Sequence, residues 1–263
     1  MPTSVTARID VWVDEPAELV FSVAVADAVT TSSETLTCVV GDRPVDIVAA
    51  GAPVGARLHV VQAPVGRLVL SYAATVTGTT RQTEATPDEL ILYRRPSRYA
   101  ESDRLAIIAA KRFDGLAGQE LVRGIESWVH SNLYYVPGVS GPTDGAVDAY
   151  LAQQGVCRDF AHLVIALARG CGLPARLASA YAPGLTPMDF HAVAEVAVDG
   201  IWQVVDATRM APRQSLVRIA TGRDAADTAF LTCHRGKIRF GTVRVTCYAD
   251  DGLPVDTGDV AHL

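Results

Sequence analysis

A chain of 263 residues, 49% hydrophobic and 20% charged, is long enough to bury a core and too apolar to be intrinsically disordered. Its 23 Lys and Arg against 29 Asp and Glu give a net charge of −6, which leaves no basic stripe for a nucleic-acid backbone. No apolar run approaches the roughly 18 residues of a membrane span, the first residues lack a signal-peptide layout and the five scattered cysteines suit no disulfide framework, so a soluble cytoplasmic protein with free thiols is expected.

Alternation with period two over Ile9, Val11 and Val13, Leu19 to Val25, Leu36 to Val40, Leu58 and Val60, and Leu68 to Val76 predicts strands. Turn formers at Asp14 to Pro16, Gly41 to Pro44, Gly51 to Gly55 and Ala63 to Gly66 separate them. Residues 1–95 are therefore expected to form an antiparallel β-sandwich domain, with no cluster of catalytic residue types. The period then changes: Leu105, Ile108 and Ala109 recur at helical spacing behind Ser102 and Asp103, and Leu121, Val122, Ile125, Trp128 and Val129 mark a second helix. A short helix with Thr143 or Asp144 as its cap follows, and Gly155 is read as its stop. A buried helix then begins at Cys157. Strands return at Ala175 to Tyr181, Phe190 to Val198 and Ile201 to Asp206, with Asp199-Gly200 as a hairpin turn, and again at Lys237 to Tyr248. Residues 96–263 are expected to form the second domain.

A thiol that acts as a nucleophile needs partial thiolate character and a nearby base. Cys157 alone among the five cysteines stands at a predicted helix start, where unpaired N–H groups and the positive dipole end favour negative charge. Cys171 falls at the opposite end of that helix, and Cys38 and Cys247 fall in strand patterns, so they read as small core residues. His191 opens a strand, and pairing about Asp199-Gly200 sets it near Thr208, two residues from Asp206. The register thus predicts a Cys157, His191, Asp206 triad in which His191 activates the thiol and Asp206 fixes its tautomer.

The strings GVCRDFAHL (Gly155 to Leu163), GLPARLASAY (Gly172 to Tyr181), DFHAVAEV (Asp189 to Val196) and WQVVDATRMAP (Trp202 to Pro212) resemble, in order, the core of the bacterial transglutaminase-like superfamily. RRPSRYAESDRL (Arg94 to Leu105) and RIATGRDAADTAF (Arg218 to Phe230) extend the resemblance to a subgroup with an N-terminal β domain. It implies an α+β fold with a papain-like core, helices packed on an antiparallel sheet, and a Cys, His, Asp triad in this chain order. Many relatives carry an aromatic two residues after the histidine, a proline after the aspartate and a glycine before the tyrosine; Val193, Ala207 and Ala180 stand there instead. By similarity, Cys157 attacks a peptide or carboxamide carbonyl, such as that of glutamine, and passes the acyl group from a thioester to water or an amine. The implied partners are a peptide or protein substrate and an amine acceptor. The Cys157 N–H is a natural oxyanion donor, and a second could come from Gln153, Gln154, Asn132 or Tyr135.

Asp159, Gln153, Tyr181, Asp189 and Trp202 are candidate oxyanion or supporting groups around the triad. Asp159 is expected to steady the helix start, and His162, turned away from the thiol face, to be structural. Gly222 to Asp224 reads equally as a helix start and as a substrate wall. No cofactor, zinc or calcium site is expected, since Cys233-His234 lacks a second ligand pair and no EF-hand spacing occurs. The competing reading is a catalytically silent interaction module on the same fold.

Overall fold

The first half of the molecule is organised around one long strand. In the computed structural model, which describes residues 2–51, 56–78 and 82–263, β1 (Thr3–Phe21) runs 19 residues. Val5, Ala7, Ile9, Val11 and Val13 alternate into the core. The strands β5 (Arg57–Ala63) and β6 (Gly66–Val76) follow one another along one edge of β1, pairing with residues 17–21 and 3–13 in nearly continuous register. Along the other edge lies β14 (Leu231–Ala249), also 19 residues. The short β4 (Val48–Gly51) extends the sheet beyond β5; β2 (Thr31–Val40) and then β3 (Arg43–Pro44) extend it beyond β6. The result is a seven-stranded antiparallel sheet curled over a single core.

Three expectations change here. Asp14 to Pro16 is not a turn but a bulge in a continuing strand, with register shifts on both sides of Glu15. Ala63 to Gly66 is likewise a kink between strands on one edge, because β5 and β6 pair with β1 rather than with each other. The turn expected at Gly51 to Gly55 falls, beyond Gly51, outside the described residues. The domain split is also not linear in sequence: β14 crosses back to cover an edge of β1 that would otherwise expose a row of unpaired backbone groups.

The second half is a five-stranded antiparallel sheet covered by helices. Its strands are β7 (Thr83–Glu84), β10 (Ala175–Tyr181), β11 (Phe190–Val198), β12 (Ile201–Val205) and β13 (Val217–Gly222), in the order β13-β10-β11-β12-β7. The helix α5 (Cys157–Gly170) lies against β10 and β11 and is enclosed by α2 (Ser102–Arg112), α3 (Gly118–Asn132) and α4 (Ala146–Ala152). Apolar residues occupy nearly every side of α5, the pattern of a helix with no solvent face. The α4 cap is Gly145 rather than Thr143 or Asp144, and Glu101 Oε2 accepts the Ala146 N–H at 2.9 Å. Among the described residues no helix is long and apolar enough to cross a membrane.

The two halves share a core. Tyr181, Val217 and Ile219 pack into the first sheet, the Tyr181 hydroxyl donates to Val23 O at 2.7 Å, and Ala26 N–H donates to Arg218 O at 2.9 Å. On the other side of β10 a buried ion network ties down α1 (Pro87–Leu92). Arg176 Nε meets Glu195 Oε2 at 2.7 Å and its Nη1 meets Glu89 Oε1 at 2.8 Å, while Arg218 pairs with the second oxygen of Glu195. The Arg176 guanidinium stacks 4.1 Å from the Trp202 ring centroid. Glu195 is fully buried. Glu195→Ala leaves Arg176 with Glu89 and Arg218 with the Leu263 carbonyl in place of the shared carboxylate, and urea titration should register a loss of about 3–5 kcal/mol, as for other broken buried pairs; a loss under about 1 kcal/mol contradicts this role.

Candidate active site

Cys157 occupies the first position of α5 because the chain before it is extended, with Val156 at φ −114° and ψ −178°, and because the carboxylate three residues on closes the turn. Asp159 Oδ2 accepts the Val156 N–H at 2.8 Å, and its Oδ1 accepts the Ser140 hydroxyl at 2.9 Å. Arg158 joins the same group through Ser140 Oγ at 2.6 Å. Gly155 is not the stop of α4, whose C-cap is Gln153 at φ +54°. A Cβ on Gly155 would stand 2.6 Å from the Asp159 Cβ, so glycine lets the carboxylate close over the helix start.

The hairpin of β11 and β12 has the register its turn predicts: Ala194 faces Val205 and Val198 faces Ile201, with Asp199 and Gly200 at φ +52° and +79° between them. Continuing that register past the strand ends brings His191 Nε2 and Asp206 Oδ2 to 2.7 Å, both side chains almost completely buried. Asp206 Oδ1 is held from the other side by the Thr208 N–H at 2.9 Å and its hydroxyl at 2.7 Å. Burial alone would raise the Asp206 carboxyl, but His191 and Thr208 outweigh it and lower it. Burial alone would lower His191. The Asp206 charge and hydrogen bond, with the Cys157 thiol beside the ring, instead carry it up to about 10. The other ring nitrogen, Nδ1, is left without a well-aligned partner.

Cys157 and His191 open into one cleft of about 570 Å³. Leu177, Phe190 and Ile219 line it from the sheet, and Phe230, Leu231 and Ser22 bring the first half of the molecule to its far wall. Phe190 and Phe230 stack with centroids 5.2 Å apart. The remaining wall is the single turn α6 (Ala225–Thr228). Asp224, buried, caps that turn through the Ala226 N–H at 2.9 Å and also accepts the Tyr99 N–H at 2.8 Å. Gly222 to Asp224 is thus both a helix start and the support of a cleft wall. His162, completely buried, accepts the Ala225 N–H at 3.1 Å and stacks on Tyr99; burial pushes it down to about 3, so it stays neutral.

Among the other sequence candidates, Asp189 lines the cleft. Tyr181 and Trp202 do not: Tyr181 is fully buried in the core shared with the first sheet, and Trp202 packs edge-on against Tyr93 at 5.5 Å. Both stand inside the matched motifs, but their rings pack into hydrophobic cores rather than line the cleft. Gln153 is exposed, and its carbonyl accepts the Tyr134 N–H at 2.9 Å; Asn132 donates to Trp128 O. Of the four donor candidates, Tyr135 is the one beside the thiol. The parallel pair β8 (Tyr134–Tyr135) and β9 (Gln154–Gly155) sets it next to the start of α5. Burial and then the Cys157 sulfur push its phenol up to about 12, against a hydrogen bond from the Cys157 backbone, so it remains a neutral O–H. Thr208, missed in the sequence, was legible as a hydroxyl two residues after a turn carboxylate. Among the described residues no group of three His, Cys, Asp or Glu is placed to hold a metal ion.

Comparison with known proteins places the fold. The profile of the transglutaminase-like superfamily matches residues 109–207. The solved structure of a Cytophaga hutchinsonii protein, provisionally designated a cysteine protease, superposes with a TM-score of 0.88 at 32% identity, covering 97% of this chain and 93% of that one. The periplasmic domain of TgpA from Pseudomonas aeruginosa aligns at 18% identity and a TM-score of 0.41 over 79% of this chain and 90% of its own. An uncharacterised Mycobacterium leprae protein, ML0607, is 27% identical over 163 residues, which are 59% of this chain and 58% of that protein's length. From the matched profile and the full-length structural relative, the chain belongs to the transglutaminase-like superfamily.

Proposed function

We propose that the protein is a thiol-dependent hydrolase or acyltransferase that acts on peptide or amide bonds through Cys157, His191 and Asp206. The family fold supports thiol chemistry in general. The observation that carries the finer reading is the buried His191–Asp206 pair, 2.7 Å apart, opening on the cleft that holds the Cys157 thiol at a helix start. A binding surface has no use for a buried imidazole charged at its own helix-start thiol.

With its proton already held on His191 Nδ1, the Cys157 sulfur attacks the carbonyl carbon. The oxygen, now negative, is met by the Cys157 N–H and the Tyr135 hydroxyl. His191 returns the proton to the departing amine, and an acyl thioester remains on Cys157. Water or a second amine, deprotonated by His191, attacks the thioester; the thiol is restored and an acid or a new amide leaves. Asp206 keeps the ring oriented and stabilises its charged form without taking its proton.

Iodoacetamide applied briefly near neutral pH, with adducts mapped by peptide mass spectrometry, should modify Cys157 ahead of the exposed Cys233. Cys157→Ala should keep the fold and lose that fast label and all acyl transfer; an equal rate of labelling elsewhere in the variant sinks the assignment.

The raised His191 pKa has a definite sign. The imidazolium is favoured from its ordinary value near 6.5 up to about 10, and the stability it adds is lost as pH rises through about 10. The lowered Asp206 adds stability above its ordinary range that is lost in acid. Ring-nitrogen NMR at pH 8 should therefore find both His191 nitrogens protonated. In Asp206→Asn burial dominates, and the ring should titrate below about 6.5. A ring still charged at pH 8 in the variant contradicts the account.

A further inference from the structure

The wall beside His191 carries an acidic group to which neither the fold nor the chemistry above assigns a task. Asp189 stands two residues before His191, in the same cleft, exposed at its rim. Its Oδ1 accepts the N–H of the next residue, Phe190, at 2.7 Å, and no arginine or lysine among the described residues pairs with it. Apolar neighbours such as Leu177, Ile219 and Phe230 surround the cleft, and partial burial raises the Asp189 carboxyl, with only His191 drawing it back down electrostatically. The guanidinium on the α5 side of the cleft is already engaged, since Arg158 donates to Ser140 Oγ, Gly141 O and Asp159 Oδ1. An unpaired, partly desolvated carboxylate at a reaction centre is best satisfied by a cation.

Its position decides which half of the substrate it meets. In acyl transfer through Cys157, His191 gives a proton to the departing amine and takes one from the group that replaces it. The amine half therefore lies on the His191 side of the thiol, and the same site serves an amine that leaves and one that arrives. We infer that Asp189 is a specificity-determining residue that binds a primary ammonium group carried on the amine half of the substrate, a few bonds from the reacting nitrogen. The chemistry fits a lysine that follows the scissile bond or a diamine acceptor. No bond is made or broken at Asp189. The inference rests on the thiol reading above and is separable from it.

The test uses the full chain and a neutral chromogenic acyl ester. A burst of chromophore, absent in Cys157→Ala, reports the thiol chemistry alone. Two arms then address Asp189: peptides with lysine or norleucine after the scissile bond, and 1,5-diaminopentane or n-pentylamine as acceptors of the acyl group. In one or both arms the wild type should favour the ammonium-bearing member by about tenfold in kcat/KM, the scale of one charge-assisted hydrogen bond. The arm that responds identifies whether the cation sits on the leaving peptide or on the acceptor. Asp189→Asn should bring the ratio near one and Asp189→Lys below one; a ratio taken within one variant cancels differences in active fraction. A burst accompanied by a ratio near one in both wild-type arms, or by a preference unchanged in Asp189→Asn, overturns the inference. Absence of the burst overturns the thiol reading and the inference with it.

Discussion

The register of one hairpin decides whether this molecule has a site at all. Side chains on a strand alternate between faces, so a slip of one residue between β11 and β12 would put His191 and Asp206 on opposite sides of the sheet. The Asp199-Gly200 turn, with both residues in the left-handed region, removes that freedom and leaves Ala194 opposite Val205. Everything else at the site follows from this pairing: a carboxylate buried against an imidazole, a ring charged well above its usual range, and a thiol delivered to that ring by the first turn of α5. Burial is unfavourable to each charge separately. The pair persists because each group satisfies the other and Thr208 fills the remaining oxygen of Asp206.

The β half of the molecule contributes to the cleft as well as to the fold. β14 begins at Leu231 and runs the length of β1, so Leu231 is fixed by its pairing with Phe21 at the cleft wall, with Phe230 just before it. Ser22, just past the end of β1, donates its N–H to Phe230 O at 3.1 Å and completes the same wall. Tyr181 anchors β10 into the first core through Val23. The substrate cleft is thus a joint between the two sheets, and any change that loosens the shared core shifts its walls relative to the thiol.

What the sequence revealed was local, and what it concealed was long-range. The helix beginning at Cys157, the hairpin register and the carboxylate at Asp159 depend on spacings of a few residues and were legible from periodicity and turn chemistry. Alternation specifies a buried face but names no partner, so the pairing of Leu231–Ala249 with Thr3–Phe21, more than two hundred positions apart, could not be read. For the same reason Asp14 to Pro16 looked like a turn: a proline in an alternating run signals a bulge and a chain reversal equally well. Tyr135 was one of four candidates because β8 and β9 are two residues each, too short to show any period, yet their parallel pairing is what sets the phenol beside the thiol. Tyr181 and Trp202 read as core aromatics more readily than as cleft walls, and they pack as core, because matched motifs mark both the walls of a site and the core behind it.

The central claim is that Cys157 becomes acylated through His191. Wild-type protein should be mixed with a slowly turned-over acyl ester, quenched in acid within a turnover and digested for mass spectrometry. The account predicts one acyl group, held as a hydroxylamine-labile thioester on the peptide that contains Cys157, and a far lower yield in His191→Ala. An acyl group found on another residue, or none on Cys157 while the ester is consumed at the wild-type rate, would contradict it.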